Sequence, residues 1–405
     1  MKLVQFGAGN IGRSFVGQLF SRAGWEVVFI DIDERVVREL NRRGRYRVEI
    51  RDREPETIIV TGVRAVSGND IESVSDEVST AELVATAVGK KALPHIMKPI
   101  AEGLMKRQAL SPGRTLDVVI CENMLHGAQF FRAGLQKHLP VNFPLGETTG
   151  LVETSIGKMV PIMSTHDRAE DPLLVYAEAY NTLIVDKKGF RGAIPDVPGL
   201  DAKDNIKAYV DRKLFIHNMA HGVAGFVSHV FKPQYHFVWE AAKDPDILPV
   251  IREAMWESGE ALLDEYPDEF SPASLNEHIE DLVHRFQNEA LGDSIYRVGR
   301  DLYRKLGPDD RLIGSISLCR RQGVVPKRIS LATACAFFFK AVDDDGSTLE
   351  SDRLFHENES SRGVTHILRN VCKLEDAPSR LLIERYYNAI EEGKDLGSEV
   401  FQKDC

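Results

Sequence analysis

The feature that most narrows the fold lies at the amino end. Lys2-Leu3-Val4-Gln5-Phe6 is a short apolar strand that runs straight into Gly7-Ala8-Gly9-Asn10-Ile11-Gly12, after which Ser14 to Phe20 has helical spacing. A lone G-x-G-x-x-G says little, but between a strand and a helix it marks a dinucleotide-binding turn. Gly7 permits the tight turn, Gly9 lets backbone approach a pyrophosphate, and Gly12 allows close helix–strand packing. The N–H groups at the helix start, around Asn10 and Ile11, are expected to hold the phosphates.

The second strand, Trp25 to Ile30, ends at Asp31, 19 residues beyond Gly12. An acid there accepts hydrogen bonds from the adenosine ribose hydroxyls and repels a 2′-phosphate, so NAD is expected rather than NADP. Asp33 competes for this role but reads better as the N-cap of the helix opening at Glu34. Two more strands fit a doubly wound sheet. One, from Glu82, ends at Val88 and Gly89 beside the cofactor and precedes a helix from about Ala92 to Lys106. The other, Leu116 to Ile120, ends at Cys121-Glu122-Asn123-Met124. Ligands of open α/β sheets gather beyond the carboxyl ends of the strands, which places Asn123 to meet the nicotinamide or the substrate. A turn or helix-cap role for Asn123 stands beside that reading. Tyr46 to Val66, with alternating apolar residues, reads as extra strands at the sheet's edge.

A chain of 405 residues exceeds one ordinary core, so two domains are expected. Turn-rich residues 140–150 give way to Lys158-Met159-Val160-Pro161-Ile162-Met163, and strand-like alternation returns in Leu173 to Tyr180 and Thr182 to Lys187. The loop from Phe190 to Leu200, holding Gly192, Pro195, Pro198 and Gly199, is the expected boundary. It separates a Rossmann-type α/β domain, residues 1–195, from a mostly helical domain, residues 196–405. Apolar spacing in the latter predicts helices near 203–229, 247–264, 273–289, 295–305, 310–322, 329–341, 360–373 and 378–392.

The composition, 43% hydrophobic and 28% charged, is that of a soluble globular protein. A net charge of −10 without a basic tail argues against nucleic acid or an anionic membrane as partner and leaves a small-molecule substrate. Cys121, Cys319, Cys335, Cys372 and Cys405 are scattered and form no C-x-x-C pair, as in a reducing compartment. With no charged leader and no run of ~18 apolar residues, a cytoplasmic location is expected.

The chemistry concentrates in Lys213-Leu214-Phe215-Ile216-His217-Asn218-Met219-Ala220-His221, flanked by apolar residues that predict a buried helix. Asn218 lies roughly 140° and His221 roughly 80° around an α-helix from Lys213, on one broad face. Their backbones spread over roughly 12 Å of axis, so convergence on one atom needs the long lysine or a bend in the helix. Burial lowers a lysine pKa from ~10.4 toward neutrality and lets the amine take a proton from an alcohol. An Asn amide and a His N–H would steady the oxygen as it becomes alkoxide-like. The plain alternative is a solvated lysine with packed, hydrogen-bonded histidines. His217 and His221 stand one helical turn apart, but Asn218 occupies the glutamate place of H-E-x-x-H, so no metal is expected.

Arg297, Arg300, Arg304 and Lys305 fall on one predicted helix, with the three arginines on one stripe. Such a stripe is either a solvated basic face or a set of guanidinium forks matched to phosphate.

These residues together resemble the long-chain polyol dehydrogenases of the mannitol dehydrogenase family, over almost the whole chain. The resemblance rests on Phe6 to Arg13, Cys121-Glu122-Asn123-Met124, Ile184-Val185-Asp186-Lys187, Arg212 to Phe215 with Asn218 and His221, and Arg297-Val298-Gly299-Arg300 with Arg304-Lys305-Leu306. It implies a metal-independent NAD enzyme that interconverts mannitol 1-phosphate and fructose 6-phosphate, in a monomer or weak dimer. By that resemblance Lys213 is the general base, Asn218 and His221 hold the reacting oxygen, Asn123 touches substrate, and Arg297 and Lys305 match polyol contacts. Arg300 and Arg304 are our candidates for phosphate. Where the family carries an acid and an arginine, this chain reads Ile156-Gly157-Lys158, which leaves the exact polyol open. An unphosphorylated polyol dehydrogenase, a hexuronate reductase, a β-hydroxyacid dehydrogenase and a non-catalytic NAD-binding regulator are the other readings.

Overall fold

The structure, a computed structural model, describes residues 1–161, 163 and 165–402, without the side chains of Thr165, His166, Arg168 and Gln402. Ile162 and Cys405 of the stretches above lie outside the described residues. The chain divides into two compact units, Met1–Tyr209 and Val210–Cys405.

The first unit is built on eleven strands: β1 (Lys2–Phe6), β2 (Glu26–Asp31), β3 (Arg45–Ile50), β4 (Glu56–Thr61), β5 (Val63–Ser67), β6 (Leu83–Thr86), β7 (Leu116–Ile120), β8 (Thr149–Ser155), β9 (Val175–Ala177), β10 (Leu183–Asp186) and β11 (Leu200–Lys203). Eight form one sheet in the order β11-β10-β8-β7-β6-β1-β2-β5. Pairing is parallel from β8 to β5, while β10 pairs antiparallel with β8 and parallel with β11, so these two strands run against the other six. The chain leaves β1 toward β2 on one side and returns to β6 on the other, so the strand order reverses beside β1. That reversal opens the crevice where doubly wound sheets bind ligands.

Because side chains alternate across a strand, β1 feeds two cores. Leu3 packs with Phe15, Phe29 and Val48 on one face, while Val4 and Phe6 join Val28, Ile30 and Ile100 on the other. The region Tyr46 to Val66 corrects the expectation of extra edge strands. Only β5 joins the main sheet, while β3 pairs with β4 on one side and β9 on the other in a separate three-stranded sheet. Tyr46 explains the departure: its ring packs edge-on against Phe29 and its hydroxyl donates to the Arg13 carbonyl, which draws β3 over the face of the large sheet. The strand β8 falls where turn residues dominate the sequence, and β11 follows the 190–200 loop back into the sheet.

The second unit has no strand among its described residues. Its centre is the helix Met219–Phe231, buried nearly all round, against which pack Ile247–Glu265, Ile295–Gly299 and Lys327–Ala336. Short helices at Val238–Lys243 and Glu350–Asn358 were not expected from apolar spacing. The helix expected over 295–305 is broken. Arg300 turns extended, with ψ 161°, and Asp301 is left-handed, with φ 75°. The Asp352 carboxylate causes the break by accepting the Asp301 and Leu302 N–H groups at 2.8 and 2.7 Å, which starts a second helix at Leu302–Lys305.

Cys121, Cys319, Cys335 and Cys372 are buried and unbridged, with thiol pKa values pushed up mainly by burial. Among the described residues, no helix is long and apolar enough to cross a membrane.

The glycine contacts of the first turn yield a test of the fold. A Cβ at Gly12 would stand 2.0 Å from the Gly7 carbonyl oxygen, a backbone atom with nowhere to move. Gly12→Ala is expected to destabilise the first unit by at least the roughly 1–3 kcal/mol of an overpacked core. Urea unfolding, read as a fall in midpoint, checks it.

Candidate functional site

Each unit presents its own cluster. In the first, Gly7 adopts φ +90°, and a Cβ there would meet the Ala87 carbonyl oxygen at 2.3 Å. The β1 and β6 loops therefore touch backbone to backbone at the strand-order reversal. Gly9 differs from its neighbours: it is exposed, and a Cβ built on it meets no atom within 4 Å. Asn10 and Ile11 begin the helical turn, which widens into a π-helix over Gly12–Gly17. Open space at Gly9, with a helix start behind it, fits the approach of a pyrophosphate.

Asp31 closes β2 and anchors this loop. Its carboxylate accepts the Ala8 N–H at 2.6 Å and the Asp33 N–H at 2.9 Å. Each oxygen keeps a second lone pair, so ribose hydroxyls can still be received. Asp33 caps its helix through the Arg35 and Val36 N–H groups. The Val88 and Gly89 N–H groups are taken up by Glu122, at 2.8 and 3.0 Å. Glu122 is buried, and burial raises its pKa despite those two bonds. Asn123, next along, is exposed. Sequence reasoning missed Glu122 as the clamp on the β6 loop, and also Arg13, buried and donating to the Ala8 carbonyl at 2.5 Å. Both lie inside motifs already singled out, but nothing in their spacing foretells their contacts.

In the second unit Lys213 to Asn218 form a π-helix that continues as Met219–Phe231. Its i→i+5 pairing turns residue i+5 back over residue i, so Asn218 swings toward the Lys213 side of the helix. The helix therefore carries a distortion at this segment, one of the two routes to convergence that the sequence leaves open. Burial, and second the Arg311 guanidinium, lower the Lys213 pKa to about 8. Arg311 also donates to the Asn218 carbonyl at 3.3 Å and pairs with Asp310 at 2.9 Å.

His217 and His221 stack with ring centres 5.0 Å apart, and Phe286 covers His221 at 4.2 Å. Burial drives both imidazole pKa values well below the ordinary value, helped for His221 by Arg297 and Arg311, so both rings are neutral at pH 7. The His221 Nε2 lies 3.6 Å from an oxygen of buried Asp293, whose other oxygen holds Arg297. The Asp293–Arg297 pair has the i,i+4 spacing of a helical ion pair, a signal present in the sequence. Phe286 and Arg311 carried no such signal.

The arginine stripe does not exist, because the helix breaks between its members. Arg297 is tied to Asp293, Arg300 lies with its guanidinium 5.5 Å from the Tyr296 ring centre, and exposed Arg304 pairs with Asp301 at 2.5 Å and Asp310 at 3.4 Å. Lys305 is buried, donates to the Val298 carbonyl, and has its pKa pushed well below the ordinary value by burial and by Arg311. Among the described residues no three of His, Cys, Asp and Glu are grouped to hold a metal. Gly157 has room for a side chain, since a Cβ would touch only the Tyr180 ring, at 3.5 Å, and Lys158 donates to the Tyr180 carbonyl at 2.7 Å.

A Rossmann-like sheet with a glycine turn at its strand-order reversal, and a helical unit carrying a buried lysine, define a nucleotide-dependent dehydrogenase. Residues 1–199 match the mannitol dehydrogenase Rossmann domain and residues 205–403 the mannitol dehydrogenase C-terminal domain, and the chain belongs to this family of oxidoreductases. Among curated relatives, mannitol-1-phosphate 5-dehydrogenase of Brevibacillus brevis is 34% identical over 85% of this chain and 87% of its own. The enzyme of the same name from Bacillus licheniformis is 32% identical over 93% of this chain and 96% of its own. A substrate-free D-sorbitol dehydrogenase shares the fold, with a TM-score of 0.72 at 16% identity, over 99% of this chain and 90% of its own.

The Lys213 amine yields a stability prediction. Unfolded, it titrates near ~10.4, and folded at about 8, so between those values the unfolded chain binds more protons. Lys213 therefore makes stability rise with pH across that window. Lys213→Met is expected to lose this slope and to be the more stable protein at pH 7, as denaturant midpoints measured across the window would show.

Proposed function

We propose that the protein is an NAD-dependent dehydrogenase that interconverts D-mannitol 1-phosphate and D-fructose 6-phosphate, with Lys213 as general acid and base. The observation that carries the proposal is an amine of pKa about 8 at the start of the π-helical segment that ends in Asn218, with the neutral imidazole of His221 one turn beyond Asn218. When bound, the nicotinamide takes up or supplies the hydride. In the oxidative direction neutral Lys213 accepts the proton of the C5 hydroxyl. In the reductive direction the ammonium returns a proton to the ketone oxygen. Asn218 and His221 hold that oxygen through their N–H groups as charge develops on it.

The first unit is the cofactor domain in this proposal. Gly9 admits the pyrophosphate, and Asp31 receives the adenosine ribose and disfavours the 2′-phosphate of NADP. Val88, Gly89 and Asn123 line the approach to the nicotinamide. The second unit supplies the substrate contacts, with Arg297 and Lys305 toward the polyol. Since Arg304 is held by two carboxylates, Arg300 is the arginine we assign to the phosphate. The phosphorylated sugar is preferred because relatives 32–34% identical over 85–93% of this chain are named mannitol-1-phosphate 5-dehydrogenases. We place the enzyme in the cytoplasm, as a monomer or weak dimer.

Four sets of measurements test this. NADH oxidation after dialysis against chelator is expected with fructose 6-phosphate, and not with fructose or a hexuronate; turnover of the latter two alone would sink the substrate assignment. Mannitol 1-phosphate oxidation should rise with pH to a plateau above about 8, while ketone reduction falls above it, and Lys213→Ala should cost roughly 10²–10⁴ in kcat in both directions. Gly9→Ala should leave the unfolding midpoint unchanged but weaken NADH binding on the order of tenfold, ~1.4 kcal/mol. Arg300→Ala should raise KM for fructose 6-phosphate, and an unchanged KM removes that residue from the phosphate site.

A further inference from the structure

Asp293 is 5% exposed and sits just before the Ser294 cap of the helix Ile295–Gly299. One of its oxygens, Oδ1, holds the Arg297 guanidinium. The other, Oδ2, faces His221 Nε2 at 3.6 Å, and among the described residues neither of these two buried atoms has a hydrogen-bond partner. The His221 ring is packed against two others, tilted on Phe286 at 4.2 Å and on His217 at 5.0 Å.

A neutral imidazole carries one ring proton and must place it on Nδ1 or Nε2. With a carboxylate oxygen opposite Nε2, a proton there is attracted, while a lone pair there is repelled, in surroundings with little water to screen either. At 3.6 Å the contact is longer than a hydrogen bond, so the N–H is biased by the carboxylate without being consumed by it.

We propose that Asp293 is a positioning residue whose carboxylate, anchored by Arg297, keeps the ring proton of His221 on Nε2, so that the imidazole meets the reacting oxygen as a donor. This rests on the reading that His221 holds that oxygen. The arrangement gives Arg297 a second task, since its charge fixes the carboxylate that orients the ring. A donor at this place stabilises an oxygen gaining negative charge; a bare lone pair would oppose it.

The test uses the full chain labelled with ¹⁵N-histidine, with the His221 ring signals assigned by their loss in His221→Asn. Wild type is expected to show the Nε2–H form at His221. In Asp293→Asn the amide N–H can point at Nε2, and the ring should shift toward Nδ1–H. In the same variant kcat for fructose 6-phosphate reduction should fall on the order of 10- to 100-fold, as when a histidine's supporting carboxylate is removed at metal sites. KM for NADH should be unchanged, and Asp293→Glu, which keeps the charge, should recover part of the rate. A wild-type enzyme in the Nδ1–H form overturns the proposal whether or not any variant folds. So does an Asp293→Asn enzyme with the wild-type tautomer and the wild-type kcat. If wild type turns over no sugar phosphate, the assigned reaction fails, and the tautomer measurement still decides what Asp293 does.

Discussion

A helix buried on every side can carry ionisable groups only by keeping them neutral or paired, and the second unit is organised by that constraint. Its central helix places Lys213, His217 and His221 where water does not reach freely. Desolvation pulls down all three pKa values. Arg285, Arg297, Arg311 and Lys305 add positive potential around the rings and reinforce the effect. Such a cluster costs stability, because burial withdraws hydration from the charged forms of the amine and of both imidazoles. Burial also brings the Lys213 pKa down to about 8, far closer to neutrality than that of an exposed lysine.

The first unit solves a different problem, that of holding loops still at the ends of strands. The solution recurs in three carboxylates. Asp31 fixes the glycine turn through the Ala8 N–H, Glu122 fixes the β6 loop through Val88 and Gly89, and Asp117 fixes the loop after β10 through Arg191 and Gly192 at 2.7 and 3.0 Å. Each acceptor satisfies N–H groups that an irregular segment would otherwise leave unpaired. Burial raises the pKa of Asp117 and Glu122, which shows how far water has been displaced from them. The backbone around the open space at Gly9 is thereby set before any ligand arrives.

How much of this the sequence discloses depends on the range of the interaction. The glycine turn, the strand ending at Asp31 and the helix carrying Lys213 are short-range patterns, and each stands in the structure where its spacing put it. Asp33 as a helix cap was equally local. The arginine stripe failed for the opposite reason. Its helix is broken by Asp352, some fifty residues later in the chain, whose carboxylate outcompetes the helical continuation at Asp301 and Leu302. Likewise β3 and β4 alternate as edge strands do, but Tyr46 bonds to Arg13, 33 residues earlier, and the pair crosses the sheet face. Glu122, Phe286 and Arg311 matter through contacts of the same kind, and no periodicity announces them.

The π turn at Lys213 to Asn218 joins these strands of argument. A regular α-helix would leave the amide roughly 140° around from the amine, too far to share one small oxygen. Widening the helix by one residue re-aims Asn218, yet a lone π turn weakens the backbone ladder and persists only where packing repays it. Here Ile216 and Met219 are fully buried, and the Asn218 carbonyl accepts from Arg311. The same guanidinium is the charge that, after burial, depresses the Lys213 pKa. One side chain thus bonds to the backbone of the π turn and contributes to the electrostatics of Lys213. Geometry and basicity at Lys213 are therefore coupled through Arg311, and neither can be altered there alone.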